Sequence, residues 1–238
     1  MKTWMTLLFL ALPAPALAHG VALEIGTVFA APEESALRAV EGDAKGLFGV
    51  GLSANMTVLT AGTFRVDALV AWSVTQSEAV VARSISSSLL EHSFAGGARL
   101  RWARFWFAQP YVSVRGGPAF GWLDVDTDDG AGQLQAWDYA FRVEPAAGFE
   151  AFLPFAALGG RFPHPDDSVE RGAGSSRPGV GLGLEVGYRF QSPLRFTGEH
   201  PEPEDDDVAA DEIQRTGPDM GDLTLSGVRL GLNVFARF

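Results

Sequence analysis

The sequence predicts an all-β protein, a closed antiparallel up-and-down barrel of eight strands, and three observations predict it. Stretches of about ten residues alternate apolar and polar side chains at period two, turn-rich segments separate them, and helical periodicity is nearly absent. In VALEIGTVFA, Val21, Leu23, Ile25, Thr27 and Phe29 share one face. In LFGVGLSANMTV the apolar set is Phe48, Val50, Leu52, Ala54, Met56 and Val58. TFRVDALVAWSV follows a short turn and aligns Phe64, Val66, Ala68, Val70, Trp72 and Val74. HSFAGGARLRW gives Phe94, Ala98, Leu100 and Trp102, and PYVSVRGGPAFGW gives Val112, Val114, Phe120 and Trp122. YAFRVEPAAGF aligns Tyr139, Phe141, Val143 and Phe149, and GVGLGLEVGYRF aligns Val180, Leu182, Leu184, Val186, Tyr188 and Phe190. The last run, LSGVRLGLNVFARF, supplies Val228, Leu230, Leu232, Val234, Ala236 and Phe238.

The connections alternate in length. Residues 31–46, 75–90, 123–137 and 191–222 read as long and polar, whereas 59–62 and 103–109 read as short. The connection 153–178 is long where a short turn is expected. A ten-strand alternative therefore stays open, with FAALGGRF as an extra strand paired to LRFTG.

Ahead of the strands, MKTWMTLLFLALPAPALA carries a basic Lys2, an apolar core and a small-residue ending, the layout of a secretory signal peptide over residues 1–18. Its apolar stretch is shorter than the roughly 20 residues that span a bilayer as a helix, and Pro13 and Pro15 interrupt it. Residues 19–238 then form one barrel domain. The chain has no cysteine, which excludes disulfides, thiolate catalysis and cysteine zinc sites. The net charge of −11 is concentrated in the connection 191–222, where ten acidic residues between Glu199 and Asp222 face one basic residue, Arg215. Nucleic acid, which demands clustered lysine and arginine, is excluded as a partner.

Alternation alone does not say whether the apolar face looks at a core or at lipid. The polar faces carry Glu24, Arg65, Asp67, Glu91, Arg99, Arg101, Arg115, Asp138, Arg142, Glu144, Glu150, Glu185, Arg189, Arg229 and Arg237, with no lysine. Arginine with its fixed fork is preferred where carboxylates are paired out of bulk water, whereas a solvated face normally includes lysine. An arginine turned to mid-membrane lipid would cost about 2 to 4 kcal/mol, so the charged face is predicted to be internal and the apolar face external. Glycines such as Gly26, Gly51, Gly183 and Gly231 share the charged face and are expected to leave room for long arginines.

Aromatics fall near strand ends. With the first strand running outward, Phe29, Phe48, Trp72, Trp122, Tyr139 and Phe190 lie near one rim, and Phe64, Trp102, Phe149 and Phe238 near the other. Two such rings are the aromatic girdles of a transmembrane β-barrel.

With its signal peptide, girdles and strand count, the chain resembles small bacterial outer-membrane β-barrel proteins, the class of the OmpA transmembrane domain and of the OmpX and OmpW proteins. In that class a terminal aromatic on an alternating last strand is the signal read by the barrel assembly machinery, here Phe238 with Ala236, Val234, Leu232 and Leu230. The resemblance implies a bacterial outer-membrane location, contact with outer-membrane lipid and lipopolysaccharide, and a monomer.

An interior of this size is filled by side chains, so the charges are expected to form an ion-paired plug without an open pore. No cofactor is implied. DVDTDDG places Asp124, Asp126 and Asp128 at calcium-loop spacing, but Asp129 occupies the glycine position and Gln135 stands where a bidentate Glu belongs, so no metal site is assigned. EPEDDD, Glu202 to Asp207, reads as a solvated loop whose competing role is to bridge to lipopolysaccharide through divalent cations. Catalysis is not expected: His92 and Ser93 are adjacent on a strand and point to opposite faces, and lipid A deacylase barrels place His and Ser two apart. The expected role is structural or surface-interacting, the alternative an OmpW-like conduit for small hydrophobic molecules, and a weaker alternative a lipid-modifying enzyme.

Overall fold

The structure, a computed structural model, describes residues 20–32, 46–82, 85–105, 107–127, 133–158, 178–197 and 219–238. Strands β1 (Val21–Pro32), β2 (Leu47–Ala61), β3 (Phe64–Ala82), β4 (Ile85–Trp102), β5 (Ala108–Thr127), β6 (Gln133–Pro154), β7 (Gly179–Gln191) and β10 (Gly227–Arg237) pair antiparallel and close into one barrel. Each neighbours the next in sequence, and β1 pairs with β10 to seal the wall. Between β7 and β10 lie β8 (Leu194–Thr197) and β9 (Asp219–Leu223), a separate two-stranded sheet, and one helical turn, α1 (Phe155–Leu158), follows β6.

Period-two alternation sets the two faces of this wall, because successive side chains of a strand leave on opposite sides. On β10, Val228, Leu230, Leu232 and Val234 are exposed, while Arg229, Phe235 and Arg237 between them are buried. On β7 the exposed set is Leu182, Leu184, Val186 and Phe190, against buried Glu185, Arg189 and Gln191. A protein in water reverses this order. The outer surface is hydrocarbon-like and the inner one charged, so the molecule is a transmembrane barrel of eight strands. No helix among the described residues is long and apolar enough to cross a membrane, and the crossing is made by strands.

Local sequence fixes the irregularities. Gly62 has a φ of 59° at the first position of the tight turn joining Ala61 to Phe64, which a residue with a Cβ adopts only under strain. The β2–β3 register slips between Thr57 and Leu59, so Val58 and Leu59 both stand outward. Pro118 lacks an N–H, and the β4–β5 ladder is interrupted between Ser93 paired with Ala119 and Gly96 paired with Gly116. Pro145 interrupts β6–β7 in the same way, between Val143 with Phe190 and Ala146 with Gly187. Neither break opens the wall. A side chain at Gly117 would collide with the carbonyl oxygen of Phe94, and a Cβ at Gly187 would stand 2.7 Å from that of Pro145.

Three expectations about connections need correction. Residues 75–90 and 123–137 are not long loops: β3 continues to Ala82 before β4 starts at Ile85, and β5 continues to Thr127 before β6 starts at Gln133. Above the hydrocarbon the outer face of a strand meets water, and polar outward positions such as Gln76, Glu78, Ser86 and Ser88 erase the alternation that marks a strand lower down. The segment Leu194–Thr197 is a strand, but its partner is Asp219–Leu223 and not FAALGGRF, whose first four residues form α1. The connection 191–222 therefore begins and ends as ordered ribbon. Residues 1–18, the acidic run Glu202 to Asp207 and Asp128 lie outside the described residues.

Candidate functional site in the barrel interior

Every barrel strand sends polar side chains inward, and the charged ones form two linked clusters. In the lower cluster, toward the end where β10 finishes, Glu24 of β1 accepts from Arg99 of β4 at 2.6 and 3.2 Å and from Ser53 at 3.1 Å, and Asn55 also donates to it. Glu150 of β6 holds Arg99 at 2.7 Å, Arg237 of β10 at 2.8 Å and Arg101 at 3.5 Å. Asp67 of β3 pairs with Arg101 and accepts from Thr57 at 2.7 Å. Gln109 joins Arg101 to Arg237 through its carbonyl oxygen, at 3.4 and 3.2 Å.

In the upper cluster Glu144 of β6 is shared by four guanidiniums: Arg115 at 2.7 Å, Arg189 at 3.1 Å, and Arg142 and Arg229 at 3.6 Å each. Glu91 of β4 accepts from Arg189 at 3.0 Å, Arg142 at 3.1 Å and Gln191 at 2.9 Å. Glu185 of β7 pairs with Arg229, and with Arg115 at 3.0 Å. Tyr111 joins the clusters: its hydroxyl donates to Glu185 at 3.2 Å, and the Arg99 guanidinium lies 4.3 Å from its ring centroid. Gly148 makes this possible, since a Cβ there would overlap the Tyr111 ring.

These groups are dry. Arg189 and Asp67 are fully buried, and Glu144 and Arg101 nearly so. Removing two ions from water costs several kcal/mol per ion, which their attraction offsets only when geometry is good and the remaining donors and acceptors are met. Sharing Glu91, Glu144, Glu150 and Glu185 among several arginines moves this interior toward that condition, while Arg99 Nε, Arg101 Nε, Arg142 Nε and Arg189 Nη2 are left buried without a hydrogen-bond partner.

Of the charged residues read from the sequence, Glu24, Asp67, Arg99, Arg101, Arg115, Arg142, Glu144, Glu150, Glu185, Arg189 and Arg229 sit in these clusters, with Glu91 and Arg237. Arg65, paired in register with Arg101, is half-buried at the rim. Asp138 stands higher and accepts the amide N–H of Arg195 at 2.6 Å. Glycines serve more than arginine: Gly231 lies beside Arg229 and Glu185, whereas Gly181 clears Phe235 and Gly121 clears Leu194 and Phe196.

Above the upper cluster the interior changes character. Ala30, Leu47, Leu89, Leu123, Ala136 and Ala140 point inward at the mouth, and Leu194, Phe196 and Leu223 of the β8–β9 ribbon, with Leu225 just after it, pack onto them as an apolar cap. Sequence reasoning missed this cap, and Tyr111 as well. The signals were present: Tyr111 shares parity with Arg115, and Leu69, Leu89 and Leu123 are apolar residues on the charged face.

Outside, Phe29, Phe48, Phe64, Trp72, Trp102, Trp122, Tyr139, Phe149, Phe190 and Phe238 occupy outward positions. Trp137, Phe105 and Phe107 join them, the last two in the β4–β5 turn, where Trp102, Phe105 and Phe107 follow one another at centroid spacings of 6.1 and 5.9 Å. Leu230, Leu232, Val234, Ala236 and Phe238 line the outer face of β10, and the Phe238 amide donates to the Val21 carbonyl at 2.9 Å. His92 stands outward between Trp72 and Trp122, at 6.0 and 5.3 Å, whereas Ser93 points inward and bonds Ser73 at 2.7 Å. Asp124 and Asp126 lie in extended β5, opposite Ser88 and Ser86, and not in a calcium-type loop.

No family model matches the chain, and no curated protein matches it. Among solved structures it is similar to OprG, an outer-membrane protein of Pseudomonas aeruginosa, with 10% identity, a TM-score of 0.48, and 93% of this chain and 96% of that one covered. It is also similar to Ail, the attachment invasion locus protein of Yersinia pestis, with 11% identity, a TM-score of 0.46 and coverage of 92% and 99%. Neisserial surface protein A gives 15%, 0.41, and coverage of 93% and 97%. The barrel assignment itself rests on the closed strand order and on the faces those strands present.

Proposed function

We propose that this chain is an integral bacterial outer-membrane barrel whose interior is a structural plug, acting in envelope integrity or surface interaction and not as a pore. The observation that supports this most is the guanidinium–carboxylate network, which crosses the interior from Asp67 and Arg237 to Glu91 and Arg189 beneath an apolar cap. In this reading the barrel is monomeric, its girdles contact outer-membrane lipid and lipopolysaccharide, and the Leu230 to Phe238 face of β10 is presented to the barrel assembly machinery. It carries no catalytic role, since His92 and Ser93 stand on opposite faces of the wall.

A second reading, a lateral conduit for small hydrophobic molecules, draws on an outer concavity of about 740 Å³ bordered by Phe29, Phe48, Phe149 and Leu184. An acyl chain fills such a groove equally well, and the close contacts at Gly117 and Gly187 speak for a closed wall. Reconstitution into planar bilayers tests the plug: the expected record shows no stepwise current, and discrete conductance steps overturn it. Membrane fractionation with unheated and heated gel samples tests location: the expected result is an outer-membrane fraction with a heat-dependent shift. A soluble fraction without that shift removes the membrane assignment.

A further inference from the structure

The two clusters do not balance alike. Among the described residues the lower cluster sets Arg99, Arg101 and Arg237 against Glu24, Glu150 and Asp67. The upper cluster sets Arg115, Arg142, Arg189 and Arg229 against Glu91, Glu144 and Glu185. Guanidinium does not deprotonate in proteins, so the upper cluster carries one positive charge in excess, out of water.

Beside it lies a cavity of about 20 Å³, onto which Arg115, Arg142 and Arg229 converge with Ser53, Ser73 and Asn233. One carboxylate, Glu24, also lines it, but both its oxygens are engaged, by Arg99 and Asn55 on one side and by Arg99 and Ser53 on the other. A space of this size holds one water or one monatomic ion, which excludes phosphate, sulfate and carboxylates. A water there would leave the excess charge uncompensated, whereas a monatomic anion cancels it beside three guanidiniums, of which Arg142 has a buried Nε without a hydrogen-bond partner.

We propose that this cavity is a structural halide site that binds chloride between Arg115, Arg142 and Arg229. The inference stands on the barrel interior alone and is independent of whether the protein conducts. The ion completes the plug, so folded barrel binds it and unfolded chain does not, and stability rises with its concentration, logarithmically once that concentration exceeds the dissociation constant.

The test uses the full barrel in detergent. Crystals grown with bromide replacing chloride should show an anomalous bromine peak inside the cavity, and ordinary water density there, or bromide only elsewhere, overturns the proposal. The unfolding midpoint should be higher in sodium chloride than in sodium gluconate at equal ionic strength, and equal midpoints overturn it. Arg229→Met leaves three guanidiniums facing three carboxylates, with Glu185 still held by Arg115 and Tyr111. This variant should lose the difference between chloride and gluconate, and a retained difference counts against the site. Should it fail to fold, the bromide experiment on the unaltered chain decides alone.

Discussion

Below the mouth the barrel is filled by charge, with Glu144 shared among Arg115, Arg142, Arg189 and Arg229. At the mouth it is filled by hydrocarbon, with Leu194, Phe196, Leu223 and Leu225 held against Leu47, Leu89 and Leu123. The two fillings differ in reach. The ionic one draws charges from seven strands and hydrogen bonds from Ser53, Asn55 and Thr57 of β2, and each contact is directional, so sliding a charged strand by one residue would turn its charges into lipid. The apolar one comes from a single ribbon, and burial has no preferred direction. Charge fixes which wall is built; the cap closes a wall already specified.

The largest expected effect breaks the ionic side of this comparison. Glu144→Gln leaves four buried guanidiniums without their shared carboxylate and should cost about 3 to 5 kcal/mol, read as a fall in the urea midpoint in detergent micelles. Placing the same chemistry on the wrong side is next. Leu232→Arg, on the exposed face of β10, should cost about 2 to 4 kcal/mol in lipid vesicles, although arginine is the commonest buried charge on the inner face of the same wall. Ser73→Ala removes a hydroxyl that binds both Ser93 and Arg142, and about 1 kcal/mol is expected by the same urea measurement. The smallest global effect belongs to the cap. Phe196→Ala should shift the midpoint by less than about 0.5 kcal/mol while speeding amide exchange in β8 and β9, because the ribbon opens without the barrel. A midpoint loss as large as that of Glu144→Gln would show the cap to be part of the barrel's cooperative unit.

Much of this was legible in the sequence, for a physical reason. Lipid outside and paired charge inside impose strict alternation, so Leu182, Leu184 and Val186 could be separated from Glu185 by parity alone. The cap was missed, because LRFT and DMGDL are far apart in sequence, and the signals in the mouth are isolated apolar residues on the charged face, such as Leu89 between Ser87 and Glu91. Nor were the upper halves of the β3–β4 and β5–β6 hairpins legible, where polar residues on the outer face and a mixed serine and leucine inner face remove the contrast that periodicity measures. Individual ion pairs also stay hidden: parity places Arg189 and Glu91 inside, but only the closed wall brings them within 3.0 Å.

The pairing of β1 with β10 bears on timing. The first strand waits for the last, so no partial length of chain can satisfy both edges, and its ladder groups stay unmatched until the far terminus arrives. Such a chain must reach the membrane uncommitted, with bare strand edges open to wrong pairing until closure. Assembly is then one late event and not a progression along the sequence.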